Sequence, residues 1–81
     1  MRTEQIKLKF PVTVAGHEYK ELTVRSAKVR DQVIAQKSAS DNSDVELVLF
    51  SNLCEVSRDV IEELEMTDYY QLQQAYQGFL A

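Results

Sequence analysis

Between Ile6 and Val14 the chain alternates, with Ile6, Leu8, Phe10, Val12 and Val14 set against Lys7, Lys9, Pro11 and Thr13. A period of two with one apolar face predicts a β-strand half buried against a core. Pro11 has no N–H to give to a ladder, which assigns this strand to a sheet edge or a bulge. Ala15-Gly16-His17 predicts the reversal, because Gly16 accepts the positive φ of a tight turn. A return strand follows over about 18–25, with Leu22 and Val24 on one face and Tyr19, Glu21 and Thr23 on the other. The hairpin so formed, about 5–25, is marginal in water on its own and must be covered by helices or a further sheet.

Beyond Ser26 the spacing turns helical. A short helix is predicted from Ala27 to about Gln36, with Val29, Val33 and Ile34 inward and Lys28, Arg30 and Asp31 outward. Residues 38–42 are polar and turn-prone. Ser43-Asp44-Val45-Glu46 then reads as a capping box opening a helix of about 44–54. That helix is apolar nearly all round: Val45, Val48, Leu49 and Leu53 share one face, while Leu47, Phe50 and Cys54 fall on the other. Such a helix is either central to the core or gives one face to a partner. A buried strand over 45–50 is the competing assignment, and the cap together with the continuation to Leu53 favours helix.

Ser57 is placed to cap a third helix through about Leu64, burying Val60, Ile61 and Leu64. A fourth begins at Thr67-Asp68 and gathers Tyr69, Leu72, Ala75, Tyr76, Phe79 and Leu80 into one arc opposite a glutamine-rich face. The expected architecture is α+β: an N-terminal antiparallel hairpin followed by three or four short helices over about 27–80, in one domain spanning 1–81.

Composition narrows the classes of function. Cys54 is the only cysteine and His17 the only histidine, which leaves no intramolecular disulfide, no zinc site and no expected cofactor. A small domain without those aids turns to self-association or a partner for stability. The longest apolar run, Leu47 to Phe50, is far too short to cross a bilayer, and residues 1–5 do not lead into an apolar signal core. A cytoplasmic location is the expectation. Charge is divided: residues 1–37 carry eight Lys/Arg and four acids, whereas residues 38–81 carry Arg58 alone against nine acids. A chain polarised in this way orients a partner or stacks head to tail with itself.

Candidate chemistry is sparse. His17 lies in a turn with no nucleophile beside it in sequence, and Cys54 sits in an apolar helix of the acidic half, where a thiolate is disfavoured. Glu62 and Glu63 are adjacent, so they do not face one another on a helix. No calcium loop or phosphate-cradling glycine loop is present, Gly16 and Gly78 being the only glycines. The two middle helices imitate a helix-turn-helix, but the second offers Arg58 against Asp59, Glu62, Glu63 and Glu65, the wrong sign for phosphate. A small nucleic-acid-binding regulator using the basic hairpin (Lys7, Lys9, Lys20, Arg25) is therefore only the runner-up, and a structural component that self-assembles through strand edges a third reading. Tyr70 projects about 100° from Tyr69 and away from the apolar arc. With the two-faced helix it points to a protein-binding module whose expected contacts are Leu47, Phe50, Tyr70, Tyr76, Phe79 and Leu80.

The order of Phe10-Pro11-Val12, the Gly16 turn, Leu22-Thr23-Val24-Arg25, Asp31, Thr67-Asp68-Tyr69 and Gly78-Phe79-Leu80 resembles the small tail assembly chaperones of Mu-like and related contractile-tailed phages. The resemblance spans nearly the whole chain and departs from the family where Arg25-Ser26-Ala27-Lys28 lacks the proline that often follows the return strand. It implies a non-catalytic protein of the bacterial host cytoplasm that binds the long, aggregation-prone tape measure protein during assembly and is absent from the finished virion. Such a client is largely amphipathic helix, which an apolar face can shield.

Overall fold

Alternation over 6–14 does become a strand, and its turn sits where the glycine places it. A computed structural model describes residues 2–80 as an α+β fold. Strand β1 (Thr3–Val14) and strand β2 (His17–Arg25) form an antiparallel hairpin. Four helices follow: α1 (Val29–Ser38), α2 (Asn42–Cys54), α3 (Arg58–Glu63) and α4 (Met66–Leu80). Helix, rather than the competing strand, is what forms over 45–50. Ala15 and Gly16 make the two-residue loop, with φ of 52° and 80°. Positive φ at both positions marks the turn that matches the twist of a hairpin, although Ala15 takes it at a steric cost.

Ile6, Leu8, Val12, Leu22 and Val24 bury one hairpin face against the helices. Phe10 shares their parity yet is exposed. The cause is a bulge: between the pairs Lys7↔Glu21 and Val12↔Tyr19, residues 8–11 of β1 face Lys20 alone. Pro11 sits inside it, where a missing N–H costs nothing. The backbone N–H groups of Lys9 and Phe10, displaced from the ladder, donate instead to the two oxygens of Asp68 at 2.9 and 3.0 Å. Asp68 is fully buried at the start of α4, and its Oδ1 also accepts from Gln71 Nε2 at 2.9 Å. One carboxylate thus ties the last helix to the first strand.

Helix α1 is rotated relative to the expectation from its apolar residues. Asp31 and Ala35 are buried, while Val29, Val33 and Ile34 face outward. The bidentate pair from Arg25 Nη1 and Nη2 to Asp31, 2.9 Å on each arm, is the reason, helped by the Lys28 N–H donating to Asp31 Oδ2 at 2.7 Å. The Asp31 carboxylate accepts a fork of charged donors and a helix-start N–H, and those strong bonds fix which face of α1 turns inward. At 100° per residue, turning Asp31 inward carries Val29 and Val33 to the opposite side.

Helix α2 lies at the centre, packed against α1, α3 and β2. Its cap is Asp41, two residues before the predicted Ser43: the Asp41 carboxylate accepts from the Ser43 and Asp44 N–H groups and from Ser43 Oγ. An acid at this position satisfies orphan amides and opposes the positive helix end, and Glu46 is thereby released for other contacts. The helix ends on Glu55 in the left-handed region (φ 56°), with the Val56 N–H returning to the Ser51 carbonyl at 3.0 Å. Both predicted apolar faces are used, since Leu49, Phe50, Leu53 and Cys54 are all buried. Ser57 occupies the N-cap position of α3, but its side chain makes no capping bond there. Val60, Ile61 and Leu64 are buried as the spacing predicts.

Candidate functional site

Six residues were singled out by the sequence as contacts, and the fold distributes them over three environments. Phe50 is the hub of the core, wholly enclosed, with the rings of Tyr69 and Tyr76 standing edge-on at 5.7 and 5.5 Å. It offers no surface to a partner in this conformation. The inward step follows from α2 being central, so that its second face meets α4. Leu47, Tyr76 and Phe79 are half-buried, each packed against the core with part of the side chain outside. Tyr70 and Leu80 are each 60% exposed.

Leu47 lines an open groove of ≈ 360 Å³ between α2 and the α3–α4 corner. Ile61, Leu64 and Tyr69 form the apolar lining with it, and Met66 stands at the edge, 74% exposed. The rest of the lining is polar and mostly acidic: Ser43, Glu46 and Glu62. Glu46 is held in place by the Tyr69 hydroxyl and by Gln73 Nε2 at 3.0 Å, both donating to its Oε1. Burial first, and the Glu46 carboxylate second, push the Tyr69 hydroxyl above its ordinary ionisation range, so it remains a donor at neutral pH. Arg58 lies alongside, bonded to Asp44 at 2.7 Å and within 3.5 Å of Glu62. Tyr76 lines a second, smaller recess with Val45, Leu49 and Gln32, on the side of α2 that faces α1.

Sequence reasoning missed Met66, Phe10 and the α1 residues Val29, Val33 and Ile34. Met66 lies about 160° from Asp68 on the α4 wheel, and it is the burial of Asp68, a structural fact, that places it outside. For Phe10 the signal was Pro11 next to it, which marks an edge or a bulge, whereas the α1 residues had none, because the rotation of the helix depends on Arg25 of the preceding strand reaching Asp31. Cys54 is buried, and desolvation pushes its thiol up to about 12, leaving no thiolate near neutrality. Among the described residues no group of three or more His, Cys, Asp or Glu side chains is placed to hold a metal ion. No helix among them is long and apolar enough to cross a membrane.

The groove is apolar with an acidic surround, on a small fold that keeps large aliphatic and aromatic side chains outside. A family profile described as "Phage tail assembly chaperone proteins, E, or 41 or 14" matches residues 5–81. The chain belongs to this family. Neither the curated proteins nor the solved structures provide a match. In this tail assembly chaperone, the Arg25–Asp31 pair and Asp68, which stand in the segments carrying the family resemblance, serve the architecture by anchoring α1 and α4 to the hairpin. Met66, Tyr70 and Leu80 are the apolar residues near this groove and at the end of α4 that the core leaves exposed.

Proposed function

We propose that this protein binds the tape measure protein in the host cytoplasm, keeps it soluble while the tail is assembled, and leaves before the virion is complete. The role is non-catalytic. Family membership supports the assembly role, and the single structural observation that carries the rest is the apolar surface the core does not absorb: Met66, Tyr70 and Leu80 exposed, with Leu47, Tyr76 and Phe79 half-covered. A long amphipathic helix aggregates through its apolar stripe, and a groove that accepts one stretch of that stripe competes with self-contact. The proposed contacts are Leu47, Tyr70, Tyr76, Phe79 and Leu80.

Co-expression with the tape measure protein encoded in the same genome tests this. Soluble yield of the client rises and a complex is recovered when the chaperone is present, and a Leu47→Asp/Tyr70→Ala/Leu80→Asp variant loses both effects while keeping the wild-type circular dichroism. Unchanged client solubility with no recoverable complex overturns the proposal.

A further inference from the structure

We propose that the α1 face of one copy docks into the acidic groove of a second copy, joining molecules head to tail. Val29, Val33 and Ile34 are exposed apolar residues spread over about 140° of the α1 wheel, with Val29 84% exposed. Arg30 and Lys37 lie between Val33 and Ile34 and Lys28 lies to the other side of Val29, and none of the three takes part in an ion pair among the described residues. The only acid of α1, Asp31, is turned inward onto Arg25. Apolar and basic side chains therefore share one outer face of α1, the apolar ones spanning about 8 Å along the axis from Val29 to Ile34.

The groove beside α2 has the complementary character: Leu47 and Met66 for apolar contact, Glu46 and Glu62 in the lining, and Glu63 and Glu65 on the adjoining turns. Opposite charge beside two apolar patches lets each charged rim meet its counterpart while the apolar side chains are covered. A chain does not satisfy this pairing by itself. Leu47 and Ser43 face the groove, whereas Val45 and Leu49 line the recess that also contains Gln32 of α1, and the two sets lie roughly opposite on the α2 wheel. Since the two patches are different surfaces, the contact is heterologous and propagates into rings or open chains. Leu47 belongs also to the proposed client surface, so a second copy and a client helix exclude one another at that position. The self-docking itself needs no client and stands or falls on the isolated protein.

Sedimentation velocity on the full chain, from about 10 to 500 µM at low and moderate salt, measures it against the range of transient association. Mass rises with concentration, and half-molar salt weakens the association several-fold as the rims are screened. Lys28→Glu/Arg30→Glu/Lys37→Glu weakens self-association at least tenfold, and Glu62→Lys/Glu65→Lys does the same; all five positions are exposed or rim residues, and circular dichroism verifies folding. Mixing the two variants restores association, because each reversed rim then meets its opposite. A monomer at every concentration, association indifferent to either reversal, or a mixture that fails to recover overturns the proposal. Val33→Asp, which alters the apolar face and leaves the rim charges in place, weakens association to a similar degree, and an unaffected Val33→Asp overturns it equally.

Discussion

Replacing Asp68 by alanine removes the acceptor for two backbone N–H groups and one side-chain amide at once. Lys9 and Phe10 donate to its separate oxygens at 2.9 and 3.0 Å, and the bulge leaves both N–H groups without a strand partner. Each backbone donor deprived of a charged acceptor costs about 1–3 kcal/mol when water cannot replace it. The side chains of Lys9 and Phe10 are exposed, so water recovers part of that, and the expected loss is about 2–4 kcal/mol. A domain of this length has a total of about 4–12 kcal/mol, so the melting temperature falls by about 10–25 °C. Asparagine is the sharper test. It keeps one oxygen but sets an NH2 group against the second N–H, recovering at most half of the loss. Urea unfolding followed by far-UV circular dichroism gives the free energy, and amide hydrogen exchange gives the location: protection at Lys9 and Phe10 is lost first. An Asp68→Ala protein within about 0.5 kcal/mol of the parent, or wild-type amides at both positions exchanging like open loop, refutes the reasoning.

Asp31 makes stability pH-dependent: Arg25, the Lys28 N–H and the nearby charges hold its carboxyl at about 2, against 3.8 for the ordinary group. A depressed folded value means the contribution is complete above the unfolded value and is lost as pH falls from about 4 to 2; it amounts to about 1–2 kcal/mol after allowing for screening. Urea midpoints measured from pH 6 to 2 lose that increment in the parent and not in Asp31→Asn. Phe50→Ala empties the centre of the core between Tyr69 and Tyr76 and costs about 3–5 kcal/mol, read in the same unfolding assay. Ala15 holds a positive φ of 52°, and Ala15→Asn relieves it, raising stability by about 0.5–1 kcal/mol in thermal melts.

The hairpin limits, the turn at Gly16, the span of α2 and the buried trio of α3 were legible because each depends on neighbours a few residues apart. Periodicity, a glycine and the 3.6-residue repeat carry that information, and the uneven charge needs only counting. The family likeness was legible for the same reason, being a matter of order along the chain. What tertiary contact decided is where local and distant preferences compete. Val29, Val33 and Ile34 have the apolar character of a core face, but Arg25 meets Asp31 from the neighbouring strand and turns the helix over. Phe10 has the parity of the buried strand residues, but Asp68, 58 positions away, captures its N–H in a bulge and leaves the ring outside. Phe50 was legible as apolar, and only the position of α4 made it core and not surface. In each case a carboxylate or ring finds its partner on another element, a contact that the local spacing of apolar residues does not encode.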